Sequence, residues 1–351
     1  MQTPAHLKLP LKTKGMSIFR TKEGPFPLEM VDQVLQYLPL QPLSVLANLR
    51  DMEAVVKEHL ERRITNTISS FSLHAKKTLN MMEETGTVLS GSAALEITSP
   101  GSCVPEDLNF YSPSGAAEAT VEQILLTSGF ALIQEPETAI LTERTPFSKL
   151  NVNNGVKRVF RLSHRTTGKR VTVIESLSPS PLVPIFFFHL TTLMNCVTGR
   201  GAISFYPDLT ETYTAMMNPR RNFAVVHKPM ELVKWQGRGT AIVRDCDEFH
   251  PSRPNSATHG KRGMCQRAFR HSQDGWSLST DSKLGPTIAW RLGHKSKDQS
   301  QAGLHDPVVH LLHEEWHLRT HRLLEIWVEY LAPMDEITHR LSPKTWRQSF
   351  P

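Results

Sequence analysis

A chain of 351 residues that is 39% hydrophobic is long enough for one large or two smaller domains with a real core. Its formal charge of +6 is modest and its Lys and Arg are scattered, so composition excludes the basic stripe of a dedicated nucleic-acid binder. The four cysteines, Cys103, Cys196, Cys246 and Cys265, form no C-x-x-C pair, and such sparse, unpatterned cysteine fits a reducing, intracellular compartment better than a disulfide framework.

Residues 1–24 read as a flexible arm; Pro4 and Pro10 break any amphipathic targeting helix, and no continuous apolar stretch suggests a signal peptide. From Pro25 the pattern turns helical. Pro27 suits a first turn, and Met30, Val31, Val34, Leu35 and Leu38 recur at three- and four-residue spacing. After Pro39 and Pro42, a second helix carries Leu43, Leu46, Leu49, Met52, Val55, Val56 and Leu60. Thr65–Glu84 adds another.

Thr87–Leu95 mixes β-branched and small residues around Gly91, and Asp107–Tyr111 is a short strand. Ala116–Ser128 is an amphipathic helix with Val121, Ile124 and Leu125 inward and Gly129 as its cap. Strands are expected at Ala139–Glu143, Val156–Leu162 and Lys169–Ile174, the last two pairing across the polar Ser163–Gly168 turn. Leu182–Val197 is the most apolar run. It contains Pro184, His189 and Asn195 and falls short of the roughly 20 residues a bilayer needs, so it reads as a buried helix with His189 a core histidine. A strand at Ala202–Tyr206 and a helix at Met230–Gln236 follow. Residues 245–307 read as long loops, with strands at Trp276–Ser279 and Ile288–Arg291, before helix resumes over Val308–Tyr330.

Two short motifs carry chemistry. Val88-Leu-Ser-Gly91-Ser92 offers a tight turn whose backbone N–H groups could reach phosphate oxygens. Asp107-Leu-Asn109-Phe-Tyr111 places two polar side chains at i and i+2, on one face of a strand. Two carboxylates at that spacing would hold a pair of divalent metals. This pairing resembles the minimal nucleotidyltransferase fold, whose signature joins a Gly-Ser turn to Asp-apolar-Asp. The resemblance covers about residues 86–210. It implies Gly91, Ser92, Asp107 and Asn109 as site positions and Mg²⁺ as the cofactor of any retained activity. The sequence departs from that pattern at Asn109, which is neutral, and at the third acid. Within Arg170-Val-Thr-Val-Ile-Glu175 the slot falls either to Thr172, which is no acid, or to Glu175, which is out of phase on a regular strand.

The segment Pro25 to Leu43 resembles an F-box, with Pro27, Glu29, Val34, Leu35, Leu38, Pro39, Leu43 and Leu46 in the family's places. The resemblance implies docking on the linker subunit of a cullin-type ubiquitin ligase, with Pro27, Val34, Leu35, Leu38, Leu43 and Leu46 as the apolar contact. The usual closing Trp is missing from the Arg50–Val56 run, and a helical hairpin packed on its own domain is the alternative. Together with Met194-Asn195 and Tyr206-Pro-Asp-Leu-Thr210, these features resemble an uncharacterised family of fungal proteins over roughly residues 25–245, which implies an architecture and no activity.

His313-Glu314-Glu315-Trp316-His317 matches H-E-x-x-H. On a helix the two histidines share a face and could bind zinc, with Glu314 polarising a water, as in a zinc hydrolase. Against this stand the charge on Glu315, the neighbouring His305, His310 and His321, and the lack of a third ligand, since Glu336 lies beyond Pro333. A solvated amphipathic helix explains the same residues. Cys246, His250, Cys265 and His271 match no standard zinc spacing.

The sequence therefore predicts an α+β protein. Its parts are the arm, an F-box-like helical module at 25–65, a nucleotidyltransferase-like mixed sheet with flanking helices at 66–244, a loop-rich insertion at 245–307, and a C-terminal helix and tail at 308–351. Its expected role is that of a non-catalytic interaction protein with no resident cofactor.

Overall fold

The computed structural model describes residues 20–21, 24–25, 28–49, 52–133, 137–138, 154–219, 228–244, 269–272, 274–281, 288–295, 304–305 and 307–311. The chain is α+β: helices gather on a long mixed sheet. Ala139–Glu143, Pro27, the His313–His317 motif, Cys246, His250 and Cys265 lie outside the described residues.

Arg20–Thr21 (β1) pairs antiparallel with Gly24–Pro25 (β2), so a small hairpin closes the expected arm. Helix α1 (Leu28–Leu35) follows, then α2 (Leu40–Ala47) and α3 (Glu53–Ser70). Val31, Leu35, Leu43, Met52 and Val56 form one buried cluster, with Leu38 and Leu46 packed against it. The sequence suggested one helix from Leu43 to Leu60; the chain turns after Asn48 instead. On a straight helix Leu43 and Met52, nine residues apart, would face opposite ways. The turn lets both enter the same cluster. Helix α3 then continues past residue 65, so the expected module boundary falls inside a helix. Its Leu60, Ile64 and Ile68 enter the main core at four-residue spacing.

A polar junction fixes α1 to the rest. Arg63 Nη2 donates to the Leu35 and Leu38 carbonyls at 2.8 and 3.1 Å, and Nη1 donates to Ile97 O at 2.9 Å. One guanidinium thus satisfies carbonyls at the end of α1 and within the adjoining domain. Burial pulls the Arg63 pKa down to about 10. His59 Nε2 lies 3.1 Å from Arg63 Nη2, and its Nδ1 lies 3.0 Å from Asp32 Oδ1. Arg can only donate, so where Nη2 shares a hydrogen with this ring as well as with the two carbonyls, Nε2 accepts and the ring proton sits on Nδ1, toward Asp32. That arrangement suits a neutral imidazole.

Helix α4 (Ala75–Thr85) and the left-handed Gly86, φ +69°, lead into the sheet. Its strands are β3 (Val88–Ser90), β4 (Asp107–Ser112), β5 (Phe130–Leu132), β6 (Glu137–Thr138), β7 (Val156–His164), β8 (Arg170–Ser176), β9 (Asn195–Val197), β10 (Ala202–Ser204) and β14 (Leu278–Ser279). The order is β14-β10-β9-β3-β4-β8-β7-β5, with β6 also on β7. Only the β4–β8 pair is parallel; the others named here are antiparallel. Leu108, Phe110, Val171 and Val173 alternate toward the face covered by α3, α4, the short α5 (Ser92–Thr98) and α6 (Ala117–Thr127). The opposite face carries Val88, Tyr111, Ile174, Cys196 and Ile203, packed with Phe186, Phe205 and Trp290. Phe186 stacks on Trp290 at 4.0 Å, and Trp290 Nε1 donates to Tyr206 Oη at 2.8 Å.

The remaining elements are α7 (Pro207–Glu211), α8 (Lys228–Gly237), the parallel pair β11 (Thr214–Met216) and β12 (Ala241–Val243), the three-stranded sheet of β13 (Arg270–His271), β15 (Ile288–Arg291) and β18 (Val308–Leu311), and the pair β16 (His294–Lys295) with β17 (Leu304–His305).

Three expectations change. Leu182–Val197 is not a helix: it holds 3₁₀ turns at Val183–Phe187 and Thr191–Leu193, then β9. The run is buried almost throughout, so hydrophobicity carries no period there, and Pro184 with the β-branched Thr191 and Thr192 disfavours α-helix. Val308–Leu311 is a strand on β15, where its β-branched Val309 fills the aromatic core. Gly129 is no left-handed cap. A Cβ there would meet His164 Nε2 at 2.7 Å, so the glycine makes room for that ring. Among the described residues no helix is long and apolar enough to cross a membrane.

Removing the shared guanidinium should cost far more than removing its exposed neighbour. Arg63→Ala should lower the free energy of unfolding by about 2–4 kcal/mol, against less than about 1 kcal/mol for Arg62→Ala, by denaturant titration. Burial is the largest influence on His59 and holds its pKa below the ordinary 6.5, despite the opposing Asp32 hydrogen bond. The unfolded ring protonates first as pH falls. The contribution is complete above the ordinary value and is lost as pH falls through the folded one. Between about pH 7.5 and 5.5 the unfolding midpoint should drop more steeply in the native chain than in His59→Gln.

Candidate functional site

Helix α5 begins because Gly91 takes φ +78°, ψ −146°, a backbone that L side chains rarely adopt; a Cβ there would lie 3.7 Å from Asn109 Nδ2. The glycine thus reverses the chain from β3 into α5 beside Asn109. Ser92 is the first residue of that seven-residue helix, and its carbonyl accepts from the Cys103 thiol at 3.3 Å. Burial pushes that thiol up to about 11, which makes it a poor nucleophile. Ser90 Oγ donates to Asn195 O at 2.6 Å and pins β3 to β9.

The registers decide which side chains meet. Ser90 is opposite Asn109, Asn109 opposite Thr172, and Thr172 opposite Arg161. Residues paired this way share a face, so the four form one row across the sheet. Asp107 and its neighbour Arg170 lie at the end of the same face. Asp107, Asn109 and Thr172 are half-buried and Arg170 is exposed. Tyr111 and Ile174, further along, are buried beneath the Leu182–Phe188 segment, with Phe188 edge-on to Tyr111 at 5.8 Å. Beyond the buried Ser90, the row is therefore an open polar ledge beside an apolar core.

Gly91, Asp107, Asn109 and Thr172 come together, and Glu175 does not. It lies opposite Ser112, out of phase with Thr172, and is fully buried. Its Oε1 accepts from Gly115 N at 2.7 Å and Lys157 Nζ at 2.9 Å, and its Oε2 accepts from Arg158 Nε at 2.5 Å. Burial pushes this carboxyl up, but the Arg158, Gly115 and Lys157 hydrogen bonds outweigh it and hold the pKa below the ordinary range. Glu175 is a structural anion that ties the β7–β8 hairpin to the turn before α6.

The ledge does not fit a two-metal centre. It offers one carboxylate, one amide and one alcohol. Asn109 Nδ2 donates to Asp107 Oδ1 at 3.3 Å, so the amide satisfies the carboxylate that a cation would otherwise neutralise. Arg161 and Arg170 stand on the same face, so guanidinium outnumbers carboxylate where two divalent ions would need several acids. Among the described residues no group of three His, Cys, Asp or Glu is placed to hold a metal ion. Sequence reading missed both arginines: pairing the strands across Ser163–Gly168 sets Arg161 opposite Arg170, whereas the observed register sets it opposite Thr172.

Helices α1 and α2 sort their apolar residues in two. Leu35 and Leu43 are each only 1% exposed, and Leu38 and Leu46 pack against their cluster. Val34 is 50% exposed and Tyr37 72% exposed. Met30 and Val34 stand at i and i+4 on one outward face of α1, and Tyr37 follows in the turn after it; Val45 and Leu49 are exposed on and just beyond α2. These apolar side chains make no use of the core beneath them.

No model of a known family matches the chain. No curated protein matches it either.

A second carboxylate on the ledge should crowd Asp107 rather than create a metal centre. Asn109→Asp should destabilise the fold by about 0.5–1 kcal/mol at low salt through repulsion with Asp107, without measurable nucleotide transfer. Thermal unfolding with and without Mg²⁺ or Mn²⁺ checks this; a large metal-dependent recovery would contradict it.

Proposed function

We propose that the chain is a non-catalytic interaction protein, an F-box-type adaptor whose α1–α3 module docks on the linker subunit of a cullin-type ubiquitin ligase and whose sheet domain is a degenerate nucleotidyltransferase-like fold. The observation that carries it is the exposure of Met30 and Val34 on α1 and of Tyr37 just past its end, large apolar side chains beside a helix whose other face is fully occupied. Of the residues that the F-box resemblance implied, Leu35 and Leu43 build the module, whereas Val34 belongs to the docking face. The single carboxylate at Asp107 supports a non-catalytic reading of the sheet domain, because phosphoryl transfer needs charge on the metal ligands as well as geometry.

The test uses outward residues only, because Leu35→Asp would unfold the module. The full chain should capture the purified linker subunit. Met30→Asp with Val34→Asp and Tyr37→Asp should weaken capture by at least about tenfold while leaving the melting temperature near that of the native chain. No binding by the native chain removes the reading. The competing transferase reading is checked with labelled nucleotides and Mg²⁺ or Mn²⁺; transfer abolished by Asp107→Ala would establish it in place of the adaptor.

A further inference from the structure

A cavity of about 240 Å³ opens beyond the ends of β4 and β8. Pro113, the residue after β4, and the Pro179–Leu182 segment, shortly after β8, form part of its wall. Met82 from α4, Val88 from β3 and Ile203 from β10 join Leu182 to give the wall its apolar character. Pro113, Pro179 and Pro181 carry no backbone N–H, so three positions of the lining offer no donor, and their fixed φ stiffens the chain around the opening.

Each polar side chain of the lining already has a partner within the protein. Thr87 Oγ1 accepts from Thr85 Oγ1 at 2.8 Å and lies 2.8 Å from Ser112 Oγ and 3.0 Å from Thr120 Oγ1. Ser180 Oγ accepts from Leu182 N at 3.3 Å. Thr198 Oγ1 donates to Asp281 Oδ2 at 2.7 Å and accepts from the amides of Arg200 and Gly201, both at 3.1 Å. Arg200 Nε donates to Glu83 Oε1 at 2.8 Å, and its Nη2 goes to the same oxygen, so these two charges offset each other.

This bonding sets the chemistry of the occupant. A charged or strongly polar ligand would give up water and compete with bonds the protein already makes. An apolar body displaces water from the Met82, Val88, Leu182 and Ile203 side chains and disturbs none of those bonds. The volume exceeds the ~150 Å³ of an apolar cavity that takes benzene, so a single ring or a short alkyl chain has room.

We infer that this cavity is a binding site for a small uncharged apolar molecule, a single ring or a short alkyl chain held by the Val88–Leu182–Ile203 wall. The site is independent of the docking face and of the Asp107–Asn109 ledge.

Toluene, benzylamine and benzoate share a ring and differ in charge, so titrating the full chain with each at neutral pH tests the assignment. Methyl signals of Val88, Leu182 and Ile203, followed by NMR, should shift saturably with toluene. Toluene should bind at least about tenfold tighter than either ion. Val88→Phe fills the cavity from its wall and should abolish toluene binding if its melting temperature shows it folded. If it does not fold, the methyl shifts of the native chain decide alone. Shifts that do not saturate, saturable binding that leaves the three methyls unmoved, benzylamine or benzoate binding as tightly as toluene, or undiminished binding by folded Val88→Phe would each overturn the assignment.

Discussion

The parallel pairing of β4 with β8 is the constraint on which the rest of the structure depends. Its register sets Asn109 beside Thr172 and Ser112 beside Glu175 in a single stroke. A carboxylate at 175 cannot then reach the open ledge. It is turned under the sheet, where Arg158, Lys157 and the Gly115 amide neutralise it. The ledge keeps one acid, and the buried ion cluster at the other end locks the β7–β8 hairpin that supplies two arginines to the ledge. The single acid of the ledge and the lock on the hairpin follow from the same register. A one-residue slip would reverse both and drive Val171 and Val173 out of the core.

The same parallel pair also divides the two ends of the sheet by chemistry. At one end the row from Asn109 to Arg161 is polar and open. At the other, Pro113 and the Pro179–Leu182 turn frame a largely apolar cavity. The N-terminal helices are joined to this scaffold rather than strung before it. Helix α3 belongs to both clusters, and Arg63 spans the carbonyls of α1 and α5. A partner seated on Met30, Val34 and Tyr37 would therefore be held in a fixed orientation to the sheet domain, as a substrate adaptor requires. The neutral His59 between Asp32 and Arg63 makes that orientation weaken in acid.

Much of the fold was legible because local pattern and tertiary demand agree. The β4 strand, the α6 helix, the β7–β8 hairpin and Ile288–Arg291 all show the period of the element they form. The pattern fails where burial is complete. Leu182–Val197 is apolar in every direction, so only Pro184 and the paired threonines hinted that it was not a helix. The break after Asn48 is set by what Leu43 and Met52 must both touch, which no local window contains. At the site, the neutral Asn109 and the odd spacing of Glu175 were both readable in the sequence, and their consequence follows from strand alternation alone. The arginines became visible only through register, and the outward set of the F-box-like helices only through knowing which leucines the module keeps for itself. His313, Glu314 and His317 lie outside the described residues.

The central claim is that α1 and α2 present a docking face while the sheet domain contributes no phosphoryl chemistry. Hydrogen–deuterium exchange on the full chain, with and without the cullin-ligase linker subunit, addresses both halves. The account predicts added protection confined to Leu28–Leu49, and unchanged exchange along β4 and β8 when Mg²⁺ and nucleotide are supplied instead. Protection of Asp107–Ser112 by nucleotide and metal, with none over Leu28–Leu49 by the linker subunit, would contradict it.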